Sequence, residues 1–491
     1  MGSRPRRGAL AIVLHTHMPY VEGFGTWPFG EEWLWEAMAC CYVPLLDLLD
    51  SGAALTLSLT PVLCDQLESP GVSERFGAFV EGARRETFER DAAGLRAGGH
   101  EALACELDRA WGDYAGAVES LRRRRGDLLG ALAPHAQWTS SATHAVLPLL
   151  ATDAGVRLQV QSGVAAYRRR FGDGWRGGFW LPECAYAPWL AGALENAGAS
   201  AACVEFTNLF GLGAGRHLRP MRTDAGVTLV PIDRRTISLV WSEAGYPASG
   251  AYRDYHHYTV HHRNPWNNGG GVYEHADALA LAREHAADFV ARTLARLRDA
   301  NESAPGGGLP GGGLAVFAVD TELFGHWWYE GLAWLSAVVE ECSSQGLELR
   351  RLDDALELCE PVAIERADLA AGGRGEPPGD WQASSWGQDG DLSTWSGPAV
   401  AEMAFAARAA ELALVAAPRR ASMQAVRELM ALQASDWAFM VSRDLAARYG
   451  EERFEGHHRA FERALADTER GGMEGLRNLA VHADRAALLA P

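Results

Sequence analysis

The chain has 491 residues, 48% of them hydrophobic and 22% charged, so it can bury a sizeable core and exceeds the usual size of a single one. Two or three domains are expected, with room for a barrel of roughly 200 to 250 residues. Forty-five basic against 63 acidic residues give a net charge of −18, which argues against nucleic acid or anionic membrane as a partner and suits a neutral polymer.

No stretch approaches the ~20 apolar residues of a membrane span. The basic start, residues 1–7, precedes an apolar run too short for a secretion signal. The eight cysteines contain no Cys-x-x-Cys pair and read as reduced, mostly buried thiols of a cytoplasmic protein. Tryptophan is in excess: its 17 copies outnumber 16 phenylalanines and 12 tyrosines, and many sit beside polar residues, where flat indoles suit sugar faces.

Residues 8–14 read as a first buried strand that delivers His15 and His17, which at a period of two point to one side. Both are expected to hydrogen-bond substrate. Asp/His/His sets at a first strand end also occur in metal-dependent hydrolases, so metal ligation is the alternative. Residues 20–35 form an aromatic loop containing Trp27, 31–49 show helical spacing, and 55–62 are a second strand. From 84 to 134 the pattern is helical and charged and reads as an insertion, with Arg122, Arg123, Arg124 and Arg125 on a solvated face. Further strands are expected at 137–142, 156–161, 178–181, 199–205, 227–232 and 236–241. Their alternation with helices and loops argues for a parallel sheet closed as a barrel.

Two strand ends carry the chemistry. An apolar run through Trp180-Leu181-Pro182 delivers Glu183 to an aromatic rim that includes Tyr186, and a buried carboxylate there is costly unless it is paired or used. A second run, 314–319, ends in Asp320 and a Gly325-His326-Trp327-Trp328 loop. Barrels present catalytic groups in this way, at the C-terminal ends of strands. Paired carboxylates suggest glycosidic chemistry. In a retaining mechanism one attacks the anomeric carbon while the other protonates the leaving oxygen and later deprotonates the acceptor.

The loop 246–268 is polar and aromatic, with Trp266 and four histidines that lack the closed spacing of a zinc site. The glycine-rich stretch 301–313 reads as a surface connection, because no Gly-Lys-Ser/Thr ends it as a phosphate loop would. After a late strand at 347–352, a Gly/Pro-rich stretch at 371–379 is the expected domain boundary, and 400–416, 422–449 and 451–469 read as helices. Trp386, Trp395 and a mid-helix Asp436-Trp437 are read as exposed sugar-stacking positions.

Together these motifs resemble glycoside hydrolase family 57 and, within it, the 1,4-α-glucan branching enzymes. His15-Thr16-His17-Met18-Pro19-Tyr20 resembles the first family motif, Trp180-Leu181-Pro182-Glu183-Cys184-Ala185-Tyr186 the nucleophile motif, Asp320 to Trp328 the acid/base motif, and Ser435-Asp436-Trp437 the last. The resemblance covers nearly the whole chain. It implies an α/β fold: an incomplete (β/α)7 barrel over 1–83 and 135–375, a small inserted helical domain over 84–134, and a C-terminal α-helical domain over 376–491.

The same resemblance implies Glu183 as nucleophile and Asp320 as general acid/base, with Trp386 and Trp395 stacking on substrate. His15, His17, Trp27, Trp266, His326, Trp328, Asp436 and Trp437 complete the expected substrate contacts. The segment Val240 to Pro247 resembles the mobile loop of branching enzymes, whose tyrosine, here Tyr246, shields the intermediate. No metal or other cofactor is implied, and the partner is an α-1,4-glucan: amylose, glycogen or a modified glucose polysaccharide. One departure stands out: the family's second motif carries a glutamate shortly before Ala-Ala-Thr-His, whereas Ser141-Ala142-Thr143-His144 is preceded by Ala136 and Gln137. The expected reaction is cleavage of an α-1,4 bond and transfer to a 6-hydroxyl. The alternatives are an α-amylase, a 4-α-glucanotransferase, a metal-dependent hydrolase and a silent glucan-binding protein.

Overall fold

The computed structural model describes residues 8–26, 28–304, 308–364, 383–417, 422–466 and 476–489. Trp27 and the expected boundary at 371–379 lie outside them. The strands are β1 (Ala9–Thr16), β2 (Thr56–Leu59), β3 (Ala136–Ser140), β4 (Gly178–Trp180), β5 (Ala201–Val204), β6 (Met221–Arg222), β7 (Thr228–Pro231), β8 (Leu314–Asp320), β9 (Glu348–Leu349) and β10 (Val362–Ala363). They form one sheet in the order β10-β6-β7-β5-β4-β3-β2-β1-β8, with β9 also pairing with β1.

From β7 to β8 along that order, each neighbouring pair is parallel. Parallel strands covered by helices are buried on both faces, which is why Ala9–Thr16 is buried at every position and Leu314–Asp320 at all but the last. Past β7, the Asp233 amide donates to the Val316 carbonyl of β8 at 2.9 Å. This bond joins the two ends of the curled sheet without a β7–β8 ladder, and the barrel of seven strands stays incomplete.

Two expected strands are helical or turned. Residues 156–161 lie inside the helix Asp153–Phe171, whose start is capped by the Thr152 hydroxyl accepting from the Gly155 amide at 3.0 Å. Residues 236–241 belong to the short helix Arg234–Ile237 and the turn after it. Between β2 and β3 the chain is helical, its longest helices being Arg85–Ala97 and Glu101–Arg123. Beyond residue 383 the described residues contain helices but no strand, and 422–449 splits into Met423–Leu432 and Ser435–Ser442. Asp436 therefore sits in the first turn of a helix, not in mid-helix.

The loop that leaves Asp320 is pinned by Gly325, whose φ is +105° and where a Cβ would collide with the Cys40 carbonyl oxygen. Gly325→Ala is expected to lower stability by about 1–3 kcal/mol, through left-handed strain and that collision. Denaturant unfolding curves of the variant and its parent check this.

Candidate active site

The strand ends of the barrel converge on a group of polar side chains. β1 places His15 beside Asp320 of β8 in register, and the His15 and His17 rings are stacked with centroids 5.9 Å apart. Thr16 and Thr321, at the same level, share a hydrogen bond of 2.7 Å. From β3 comes His144, whose ring lies 3.9 Å from that of His17, and from β4 comes Glu183.

Glu183 is held in an uncommon backbone state, φ +62° and ψ +20°, with Cys184 at φ +49° and His144 at φ +59°. Each such residue costs about 1–2 kcal/mol in a non-glycine. The strain turns the glutamate back toward the sheet end instead of letting a helix continue, and segments far downstream stabilise it. Residues 384–386 lie against the nucleophile motif through paired backbone bonds between Tyr186 and Ser384 and a 3.0 Å bond from the Trp386 amide to the Glu183 carbonyl. Ala434 bridges Ala145, and the Ser435 amide donates to the His144 carbonyl at 3.1 Å.

These dockings bring two donors to one carboxylate. The Trp386 indole N–H donates to Glu183 Oε2 at 2.7 Å, and the Ser435 hydroxyl donates to Oε1 at 2.8 Å. Because an ionised carboxylate only accepts, the donor direction along the rest of the chain is settled. Ser435 Oγ accepts from His144 Nδ1–H at 2.8 Å, so the remaining nitrogen of a neutral His144, Nε2, accepts from His15 Nε2–H at 3.0 Å. His15 Nδ1 then faces the Ser58 hydroxyl at 3.5 Å. Burial, then the neighbouring histidines, holds both His15 and His144 well below the ordinary imidazole value, which keeps them neutral.

Charge is distributed unevenly among the carboxyls. Burial lifts Glu183 above the ordinary glutamate value, and its two donors work against that rise. Asp320 stands well above the ordinary aspartate value, first through burial and then through the Glu322 and Glu183 carboxylates. Burial also pushes Glu322 up to about 7, although it accepts from the Tyr42 hydroxyl at 2.5 Å and the His17 amide at 3.2 Å. For His17 burial pulls downward, but the Asp436 carboxylate, 2.9 Å from Nε2, outweighs it and the net shift is upward. The site thus pairs a carboxylate in which two donors oppose the rise that burial causes with a carboxyl whose acidic neighbours add to it.

His17, His144 and Asp436 offer donor atoms close enough together to hold a cation. Those atoms are already committed: His17 Nε2 to Asp436, and the two nitrogens of His144 to Ser435 and His15.

Several expected sugar contacts are placed elsewhere. Trp328, Trp395 and Trp437 are buried, and the Trp437 N–H donates to the Ala431 carbonyl, so none of the three offers a free face; each fills a gap between packed elements. Tyr246, expected as the cover of the intermediate, lies in this structure against an outer helix. Its hydroxyl donates to Asp288 at 2.7 Å and its ring stacks on His285, both on the outer helix His275–Ser303. Trp266 is half-buried and stacked on His257 at 3.9 Å. His326 is pushed down to about 4 by burial and lies at the rim of a neighbouring cleft. Trp386 touches the site by hydrogen-bonding Glu183 and meets Trp180 edge-on at 5.2 Å. Sequence reasoning did not single out His144, Ser435, Glu322 or Tyr42. Their signal lay in the motifs already quoted for three of them: Thr143-His144, Ser435-Asp436 and Asp320-Thr321-Glu322. At Gln137, in the altered second motif, Oε1 accepts from the Leu57 amide at 2.7 Å and ties β3 to β2.

Ser435→Ala removes one donor from Glu183 and leaves the His144 N–H without its acceptor. A further rise of the Glu183 carboxyl is expected, so the acid limb of the pH–rate profile should move to higher pH, with a roughly tenfold lower rate at neutrality. Asp320→Asn removes a buried acid whose folded value is raised. Such a group stabilises the fold fully below its unfolded value and loses that contribution as pH rises through its folded value. The variant should therefore gain on the order of 1–2 °C in melting temperature at pH 8 relative to pH 4, which scanning calorimetry at both pH values checks.

Residues 138–368 match the family model for glycosyl hydrolase family 57, and residues 398–483 match that for the C-terminal region of 1,4-alpha-glucan branching enzymes. A 1,4-alpha-glucan branching enzyme of Thermococcus kodakarensis is 32% identical, covering 93% of this chain and 73% of that protein. A probable 1,4-alpha-glucan branching enzyme of Mycobacterium tuberculosis is also 32% identical, over 98% and 96% of the two chains. The crystal structure of the Thermococcus enzyme, solved with glucose, superposes with a TM-score of 0.84 at 29% identity, covering 98% and 96%. An alpha-amylase from Thermotoga maritima shares the fold at a TM-score of 0.74 and 24% identity, covering 98% and 96%. The chain belongs to glycosyl hydrolase family 57, among its 1,4-α-glucan branching enzymes.

Proposed function

We propose that this protein is a retaining transglycosylase that opens an α-1,4-glucan and transfers the released chain to a 6-hydroxyl, forming an α-1,6 branch in glycogen or a related glucose polysaccharide within the cytoplasm. Glu183 is the nucleophile and Asp320 the general acid and base. The observation that carries the assignment is the contrast between the two carboxyls. Glu183 receives two hydrogen bonds that favour its anion, while Asp320 is surrounded by acidic neighbours that favour its proton.

In the first step a Glu183 oxygen attacks the anomeric carbon, the C1–O4 bond breaks, and the Asp320 proton goes to the departing oxygen. In the second, the acceptor 6-hydroxyl attacks C1 and gives its proton to the Asp320 carboxylate. The C1–Glu183 bond breaks and its electron pair returns to Glu183. His17, held by Asp436, supplies positive charge near both carboxyls; His15 and His144 remain neutral and orient Ser435. The domain plan of a barrel, an insertion at 84–134 and a helical part from 376 is part of the same reading.

Incubation with amylose, followed by proton NMR of the α-1,6 signal and a count of reducing ends, tests the reaction. Branching gives new α-1,6 signal with few new reducing ends, whereas an amylase gives reducing ends alone. Glu183→Gln is expected to lower turnover on the order of 10³-fold or more while glucan still binds. Retention of more than a few per cent of the activity would remove Glu183 from its role. Glu322→Gln should lower the Asp320 value, since a negative neighbour is lost. Because the first step needs protonated Asp320, the basic limb of the pH–rate profile should then move to lower pH. An unmoved basic limb would sever Glu322 from Asp320.

A further inference from the structure

A cleft of about 890 Å³ is bounded by the helix Glu31–Ala37, the helices Arg85–Ala97 and Glu101–Arg123, the loop 253–264 and the loop leaving Asp320. Neither Glu183 nor Asp320 lines it. Its volume falls within the roughly 300–1,000 Å³ of small-molecule sites.

Two properties of its walls narrow the ligand. Tyr255, Tyr258 and Trp327 line it and are 43%, 50% and 38% exposed; Tyr258 stacks one face on His262 at 4.3 Å, which leaves its other face for a ligand. Asp47, Asp113 and Arg123 also line it and present exposed charged groups, while deeper in the wall Arg84 is ion-paired with Glu32 and Glu36. A purely apolar occupant would strip water from the exposed charged groups without replacing its hydrogen bonds, at the cost of desolvating them. A hydroxyl both donates to a carboxylate oxygen and accepts from a guanidinium N–H. A ligand with stackable apolar faces edged by hydroxyls satisfies both kinds of wall, and a glucan chain is such a ligand.

We propose that this cleft binds an α-glucan chain and, resting on the branching reading above, that the chain is the acceptor. Branching needs two glucans at once, one bound covalently through C1 to Glu183 and one offering O6. His326 and Trp327 border the cleft and belong to the loop that begins at Asp320, so a chain lying there leads toward the group that takes the acceptor proton. The acceptor O6–H bond breaks to Asp320, the O6–C1 bond forms, and the C1–Glu183 bond breaks with its electrons returning to the carboxylate. Hydrolysis makes no such demand, since water needs no groove.

Tyr258→Ala in the full-length protein tests this, with Tyr255→Ala as a second variant and melting temperature as a control for folding. Loss of one stacked ring predicts an about three- to tenfold drop in α-1,6 signal from amylose, with reducing-end release unchanged or higher. An equal fall in both, or no fall in either, would overturn the acceptor role. Maltoheptaose is also titrated calorimetrically into Glu183→Gln protein with and without Tyr258→Ala. Loss of one binding step is expected, and identical isotherms would overturn the cleft as a glucan site. This arm reads binding whether or not the parent forms branches, so failure of the branching reading is told apart from failure of the cleft.

Discussion

Two hydrogen bonds to one carboxylate organise this molecule. Glu183 sits at a strand end in a left-handed backbone conformation, largely removed from water, and neither condition is stable alone. The Trp386 N–H and the Ser435 O–H compensate both by fixing the side chain and favouring its anion. They arrive from segments that follow the barrel in sequence, so the C-terminal part closes the barrel and supplies part of the site. Ser435 is in turn oriented by His144, and His144 by His15, which links β1, β3, β4 and the helical segment in one run of hydrogen bonds. Neutral histidines suit that run, because a charged one would need to donate from both nitrogens and break the donor order.

The electrostatics of the site work against stability. Asp320, Glu183 and Glu322 all stand above their ordinary values, with burial the largest cause for each. A fold optimised for stability would replace such groups with neutral or apolar side chains. Under the proposed mechanism, retaining them keeps one carboxyl ready to give a proton and another ready to attack. The His17–Asp436 pair limits the excess negative charge, and it too joins the barrel to the C-terminal helices.

Tryptophan serves two purposes here. Trp138, Trp180, Trp328, Trp334 and Trp437 are among the largest fully buried side chains and fill the core between strands and helices. Trp241 and Trp327, by contrast, are exposed and meet edge to face at 5.6 Å in the loops after β7 and β8. Aromatic rings that stay in water are suited to sugar faces, whereas those in the core contribute area and shape.

The amino-acid sequence by itself determined the barrel and its two anchors. Continuous apolar runs such as 9–14 and 314–319 suit strands buried on both faces, and a carboxylate or histidine ending such a run falls at the open end of a parallel sheet. Period two put His15 and His17 on one side for the same local reason. The tertiary structure decided what depends on partners. Val156-Arg157-Leu158-Gln159-Val160 alternates like a strand, yet the Thr152 cap and packing on β3 make it helix. In Trp327-Trp328 two identical side chains differ only in which faces the core, and neighbouring elements choose. Tyr246 looked free at a glycine-proline tip, but in this structure Asp288, 42 positions downstream, and His285 on the same helix hold it. Ser435 reads as an interior position of a helix over 422–449, and its contact with Glu183 spans 252 positions, a distance over which no local pattern carries information.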